Sequence, residues 1–214
     1  MLDASHSHAL LLAGHNAPIV SLLDIFLYSA HAHGRTNGSR AIYPLLIQRS
    51  METDFEKEVR EFLAKSPFGY RKVSEEDLAL FCAALTHDSF SNEALNMDPP
   101  RKVPSYERLE FLGDSVLEFL VCEHIYRDTD ISEGPMTDYK QDKVANHMLS
   151  ERILAKGIDI DGMMRVGHGH MKGQTKDVVE NMRADCFEAV IAAVYLAYGL
   201  DEARRIVHEI VIDD

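Results

Sequence analysis

The sequence predicts an all-α fold, and three observations support this prediction. Apolar residues recur at three- and four-residue spacings in five segments, which is the periodicity of an amphipathic helix. No stretch alternates apolar and polar residues for long enough to indicate a sheet, and no internal repeat is present. Hydrophobic residues make up 46% of the chain, which is enough to build a core. The predicted helical segments are 54–64, 77–86, 106–121, 139–155 and 185–198.

Turn-forming residues separate these segments. Ser66-Pro67-Phe68-Gly69 follows the first segment, Asp98-Pro99-Pro100 precedes the third, and Glu133-Gly134-Pro135 precedes the fourth. Thr137 is followed by an acidic residue and is a predicted helix N-cap. Gly157 follows the periodic segment directly, and glycine is common just after the end of a helix. We therefore expect the fourth helix to begin near Thr137 and to end just before Gly157.

The charge balance is acidic, with 22 Lys and Arg against 35 Asp and Glu and a formal net charge of −13 among 214 residues. Taken alone, this argues against a nucleic-acid partner, because such proteins usually carry a basic surface. Three cysteines in no metal-binding or redox spacing favour reduced thiols and a cytoplasmic location. No window is apolar enough to predict a membrane-spanning helix, and the acidic start does not resemble a secretory signal.

Residues 1–50 are predicted to form a flexible or weakly packed N-terminal extension. They hold five of the eleven histidines. Their three Arg and two Asp give them a net charge of +1, so residues 51–214 carry −14 of the total of −13. The histidines leave a metal-binding tail open as an alternative, although His-x-His pairs in such tails are more often incidental. From residue 51 the sequence becomes charged and amphipathic, so we expect a single globular domain over 51–214.

Three carboxylates in the third segment share one narrow arc of a helix. At 100° per residue, Glu110 lies about 60° and Asp114 about 20° from Glu107. The apolar residues near the opposite side are predicted to anchor this helix in the core. They are Leu109, Leu112, Val116, Phe119 and Leu120.

A second acidic pair, Asp185 and Glu188, lies on one side of the last segment. Ala189 and Ala192 continue that side, and such small residues would let another helix backbone come close. Both acidic faces could be ordinary solvated surfaces. However, two carboxylates 4 Å apart repel by about 4 kcal/mol at an effective dielectric near 20. A hard divalent cation such as Mg²⁺ would neutralise them, and such sites serve phosphoryl chemistry.

Four motifs in this order resemble those of the ribonuclease III family over roughly residues 55–211. ERLEFLGDSVLEFL is similar to the family's signature motif, and ADCFEAVIAAVYLAYG is similar to its second catalytic motif. LTHDSF and GPMTDYKQDKVANHML resemble the elements upstream and between them. Asp214 follows the second motif closely, so a minimal form without the family's double-stranded-RNA-binding domain is expected.

The resemblance implies a role for each matching residue. Glu110, Asp114, Asp185 and Glu188 would be the Mg²⁺ ligands, with Mn²⁺ able to substitute, and Glu107 would be a further catalytic residue beside the same cleft. Phe111 would insert into a socket on the partner subunit of an α-helical homodimer. The implied activity is cleavage of double-stranded RNA to 5′-phosphate and 3′-hydroxyl ends with short 3′ overhangs.

Residues 140–183 are the only part of the predicted domain that is not acidic, with eight basic residues and six acidic ones. This segment is where a phosphate-contacting surface is expected, although a solvated face is the alternative. The candidate RNA contacts are Lys140, Lys143, Lys172 and Lys176.

We therefore predict a Mg²⁺-dependent endoribonuclease for structured RNA such as ribosomal RNA precursors, with no membrane and no small-molecule substrate. The main alternative is a non-catalytic ribonuclease III-like protein that binds RNA or associates with the ribosome. Such a protein should have lost carboxylates that this sequence retains.

Overall fold

The computed structural model describes residues 52–170 and 174–213. These residues contain no β-strand, only an isolated bridge between Thr86 and Arg165, so the all-α prediction is confirmed for them. A short π-helix, His208–Ile212, closes the described chain. The α-helices are α1 (Asp54–Leu63), α2 (Glu75–Ala84), α3 (Asp88–Leu95), α4 (Glu107–Asp128), α5 (Glu133–Val144), α6 (Asn146–Ala155), α7 (Ile160–Met163), α8 (Lys176–Tyr198) and α9 (Leu200–Val207).

Helix α8 forms the centre of the fold. Its middle, from Met182 to Val194, is buried at every position except Asp185. Helix α4 makes the most extensive contact with it, and α2, α6 and α9 pack around the same helix. Helices α4 and α8, which carry the two acidic faces, thus form the most extensive helix–helix contact among the described helices.

The fourth predicted helix differs from expectation at its start and in its middle. Helix α5 begins at Glu133 rather than near Thr137, and Pro135 lies in its first turn. Proline is tolerated there because first-turn N–H groups have no partner within the helix. Ala145 is extended, with ψ 134°, and divides the predicted segment into α5 and α6. Gly157 follows α6 with φ +69°, as expected for a glycine that ends a helix.

The predicted core side of α4 is correct for Val116 and Leu120 but wrong for Phe119. The Phe119 side chain is 50% exposed, whereas Leu117, Val121 and Ile125 complete the buried side. The buried residues of α4 lie on one side of the helix only, and Phe119 lies at the border of the predicted apolar stripe. Its side chain therefore faces outward.

Two predictions fall outside the part of the chain that the structure describes. They are the extension over residues 1–50 and the RNA contact of Lys172. Among the described residues, no helix has both the length and the apolar character needed to span a membrane.

Candidate metal centre

Helices α4 and α8 touch backbone to backbone where Gly113 faces Glu188. A Cβ atom added at Gly113 would lie 1.8 Å from the Glu188 carbonyl oxygen, so only glycine fits there. The sequence predicted a close approach from the small residues of α8, and Ala189 and Ala192 are indeed fully buried. The closest contact, however, is made by a glycine of α4. This approach brings the acidic faces of the two helices together.

Three of the predicted ligands meet at this crossing. One carboxylate oxygen from each of Glu110, Asp185 and Glu188 lies within 4.8 Å of the other two. The Glu188 side chain is buried, with 6% exposure, whereas Glu110 and Asp185 are partly buried. Glu110 and Glu188 are 78 positions apart in the sequence, so the fold brings together carboxylates that are distant along the chain.

Asp114 and Glu107 lie at the exposed edge of this cluster. Neither belongs to the group of three, and both side chains are exposed. The charge of Asp114 raises the pKa of Glu188 and of Glu110, and the charge of Glu107 raises the pKa of Glu110. Ser105 Oγ donates to a Glu107 carboxylate oxygen at 3.1 Å. Both acids thus act on the cluster electrostatically from its rim.

The electrostatics of the cluster favour a bound cation. Burial, followed by the charges of Asp114, Asp185 and Glu110, raises the pKa of Glu188 to about 8. Burial and the neighbouring acids, Asp185 first, also raise the pKa of Glu110. Carboxylates that disfavour one another's ionised form are stabilised by a nearby positive charge. An all-oxygen donor set on two long helices fits a hard divalent cation such as Mg²⁺.

Sequence reasoning did not single out Asn146, the first residue of α6. Its side-chain Nδ2 donates to Asp185 Oδ1 at 3.2 Å. Burial raises the pKa of Asp185, and this hydrogen bond offsets part of the rise. No periodicity or spacing relates the two residues, because they come together only when α6 packs on α8.

The structure places the candidate RNA-contacting lysines in different environments. Lys143 is 4% exposed and donates to the Ile212 carbonyl oxygen at 3.2 Å, so its ammonium group is turned into the protein in this conformation, and its RNA contact stays a prediction. Lys140 pairs with Glu118 at 3.2 Å. Lys176 is exposed at the start of α8 and pairs with Glu180 at 3.1 Å.

An all-α fold with a half-buried carboxylate cluster between two packed helices defines a class of candidate metal-binding proteins. The sequence model of the Ribonuclease-III-like family matches residues 77–214, and the chain belongs to this family. The fold is also similar to a nuclease domain of ribonuclease III from Campylobacter jejuni, with a TM-score of 0.52 and 21% identity, over 73% of this chain and 93% of that one.

Curated relatives agree with the family assignment. Ribonuclease 3 of Caldanaerobacter subterraneus subsp. tengcongensis is 37% identical over 140 residues, which are 64% of this chain and 58% of that protein. Ribonuclease 3 of Symbiobacterium thermophilum is 40% identical over 133 residues, which are 61% of this chain and 52% of that protein. The matched region thus spans between half and three fifths of the length of these relatives.

Proposed function

We propose that this protein is a Mg²⁺-dependent endoribonuclease that cleaves double-stranded RNA. The observation that carries the proposal is the group of Glu110, Asp185 and Glu188, whose oxygens lie within 4.8 Å of one another. Membership of the Ribonuclease-III-like family and relatives named Ribonuclease 3 support the same chemistry. The products are 5′-phosphate and 3′-hydroxyl ends with short 3′ overhangs, and structured RNA such as ribosomal RNA precursors is the substrate class.

In this proposal Glu110, Asp185 and Glu188 hold the ion, and Asp114 completes the ligand set from the exposed rim. A Mg²⁺ ion held there, or Mn²⁺ in its place, would supply Lewis-acid charge stabilisation for phosphodiester hydrolysis. The chain's own contribution is orientation, because two long helices in backbone contact fix the carboxylates before RNA arrives. Glu107 lies on the open side, where it meets substrate or water.

The dimer proposal depends on an exposed apolar stripe along α4. Phe111 is 80% exposed and Tyr126 78%, and with Phe119 they lie within about 80° around the helix axis at 100° per residue. A groove of about 350 Å³ between α4 and α5, lined in part by Ile125, Tyr126 and Met136, continues this surface. Large exposed apolar patches mark interaction sites. A second copy of the chain is the occupant we propose, with Phe111 inserted at its interface.

The similar nuclease domain of ribonuclease III from Campylobacter jejuni has a region involved in dimer formation, and this region is flexible. Dimer formation by that protein supports the proposal for the present chain. On α4 of the present chain, the acidic arc and the apolar stripe lie side by side. A homodimer formed through the stripe would therefore bring two acidic clusters to one composite surface.

RNA affinity is proposed to be weak and strongly dependent on salt. The domain carries excess negative charge, and only the segment 140–183 is not acidic. Lys176 remains the proposed contact of this segment, because its side chain is 82% exposed and that of Lys140 only 24%, although each lysine pairs with a glutamate. Phosphate contacts are largely independent of sequence, so they would supply affinity without choosing a cleavage site. The free cysteines Cys82, Cys122 and Cys186 suit a cytoplasmic location.

The proposal is tested by incubating the full chain with duplex RNA, single-stranded RNA and duplex DNA, each with and without Mg²⁺. We expect cleavage of duplex RNA alone, only with the metal, and ligation or phosphatase assays should show 5′-phosphate and 3′-hydroxyl ends. Binding of duplex RNA without cleavage at any metal concentration would favour the non-catalytic alternative instead. Cleavage of all three nucleic acids would contradict the proposed substrate.

A further inference from the structure

We propose that the exposed segment 95–102, at the end of α3, holds substrate RNA beside the metal centre, with Arg101 and Lys102 as its phosphate contacts. This inference rests on the proposed function, since it names further contacts for the same substrate. All eight residues of the segment are exposed. The sequence alone did not indicate them, because they lie within residues 51–139, which are strongly acidic as a whole.

The connection that carries these two cations is anchored at both of its ends. The N–H group of Arg101 donates to the Ala94 carbonyl oxygen at 2.9 Å, which holds the start of the connection on α3. The N–H group of Tyr106 donates to the Thr86 carbonyl oxygen at 2.9 Å. The Tyr106 ring is buried and packs edge-on against His87. The backbone therefore presents the two cations from a defined position between α3 and α4.

The far end of the connection lies at the metal centre. Burial, followed by negative charges that include those of Asp185 and Glu110, raises the pKa of Tyr106. Glu107, at the rim of the cluster, is the next residue. Lys102 is five residues before Glu107, a distance of at most about 18 Å of extended chain. A duplex with one phosphate at the cluster therefore has others within reach of the segment, because it carries phosphate charge along its whole length.

The charges of Arg101 and Lys102 are available to a substrate. Neither side chain makes an ion pair with any residue in the described part of the chain. By contrast, Lys140 and Lys176 each pair with a glutamate. Asp98 is the one acid of the segment, so the segment carries a net charge of +1 in a strongly acidic domain. Double-stranded RNA is recognised largely through its shape, its phosphates and its 2′-hydroxyl groups, and unpaired cations suit the phosphates.

An acid that precedes the segment on α3 is engaged elsewhere. The Glu93 carboxylate accepts the backbone N–H groups of His168 and Gly169 at 3.0 and 2.9 Å. These hydrogen bonds lower the pKa of Glu93, which keeps the carboxylate ionised and bound to the loop. Glu93 is therefore held by that loop rather than by Arg101 or Lys102.

The test measures binding of duplex RNA to the full chain by fluorescence anisotropy, with a chelator present to prevent cleavage, between about 50 and 250 mM salt. The wild type is compared with the double variant Arg101→Gln and Lys102→Gln. We expect weaker binding by this variant, and a slope of log affinity against log salt that is less steep by about two, one for each lost phosphate contact. A second double variant, Arg101→Lys and Lys102→Arg, keeps both charges and should retain the wild-type slope.

Lys72→Gln is the matched control, because Lys72 is also exposed and makes no ion pair with a described residue. It lies close to Tyr70, whose ring packs on Tyr198 with centroids 4.5 Å apart. Tyr198 is ten residues after Glu188 on α8, about 15 Å along the helix axis. The control should therefore bind RNA with the wild-type slope.

An unchanged slope in the variant that lacks both cations would overturn the inference and leave the proposed function standing. An equal change in Lys72→Gln would also overturn it, because the effect would then follow net charge rather than position. A wild type that binds duplex RNA but never cuts it would remove the proposed function, while the comparison of slopes still decides the role of Arg101 and Lys102. A wild type that binds no duplex RNA would overturn both.

Discussion

At the residue scale, the chemistry of the cluster is concentrated in Glu188. Its carboxylate is buried and surrounded by Asp114, Asp185 and Glu110, and this environment raises its pKa to about 8. A folded pKa above the ordinary value of 4.5 means that the native state binds a proton more strongly than the unfolded chain does. The stabilising contribution is therefore complete below pH 4.5 and is lost as the pH rises towards 8.

This predicts that the metal-free protein loses stability between about pH 5 and pH 8, by an amount on the order of a few kcal/mol. Glu188→Gln, which cannot ionise, should show a clearly smaller loss over the same window. Saturating Mg²⁺ should offset the loss in the wild type but not in the variant. Urea unfolding in the presence of a chelator across this pH range measures the first two effects, and the same titration with Mg²⁺ measures the third. Equal slopes in both metal-free proteins would contradict the assignment.

At the scale of the elements, the crossing of α4 and α8 is determined by Gly113. The 1.8 Å separation between an added Cβ atom and the Glu188 carbonyl oxygen leaves no room for a methyl group against backbone atoms. Any side chain at this position must push the two helices apart. Because each helix carries part of the carboxylate cluster, packing and metal binding depend on the same contact.

We predict that Gly113→Ala destabilises the fold by several kcal/mol, in the range of severe overpacking, and abolishes Mg²⁺ binding. Gly134→Ala is the control, because a Cβ atom there would meet nothing within 4 Å and the residue lies in the first turn of α5. That variant should be neutral or slightly more stable, since glycine disfavours helices relative to alanine. Unfolding midpoints and calorimetric titrations measure both effects. A Gly113→Ala protein with wild-type stability would show that the helices are not in fixed contact.

The sequence predicted the positions of the helices that carry the carboxylates more accurately than the contacts around those carboxylates. Helical periodicity identified α4 and α8, and Glu110 of the first acidic face meets Asp185 and Glu188 of the second because those helices pack on each other. The start of α5 was misplaced because Glu133 to Pro135 resembles a loop although proline fits a first turn. Asn146 and the burial of Lys143 depend on contacts between residues far apart in the chain, which no local pattern encodes.

At the scale of the whole molecule, the acidic composition bears on RNA binding, and the exposed stripe of α4 bears on the proposed dimer. The net charge of −13 does not exclude RNA, since several of these acids are proposed metal ligands whose charge a bound cation offsets. The stripe of Phe111, Phe119 and Tyr126 places large apolar side chains in solvent unless a partner covers them.

We predict that the wild-type chain sediments as a dimer at micromolar concentration and that Phe111→Asp shifts it to monomer. Leu154→Asp is the control, because Leu154 is another exposed large apolar residue, at 55% exposure, but lies on α6, outside the stripe. A monomeric wild type would remove the dimer proposal, and so would a Phe111→Asp protein that remains dimeric.

The most direct test of the account is the rate of duplex RNA cleavage as a function of Mg²⁺ concentration in four proteins. They are the wild type, Glu188→Gln, Asp114→Asn and Glu61→Gln, the last being an exposed acid of α1 away from the cluster. We expect Mg²⁺-dependent cleavage by the wild type and Glu61→Gln. Rates for the two cluster variants should be lower by about a hundredfold, the upper end of what the loss of a residue supporting a metal site commonly costs. Cleavage by Glu188→Gln and Asp114→Asn at the wild-type rate would contradict the metal centre proposed between α4 and α8.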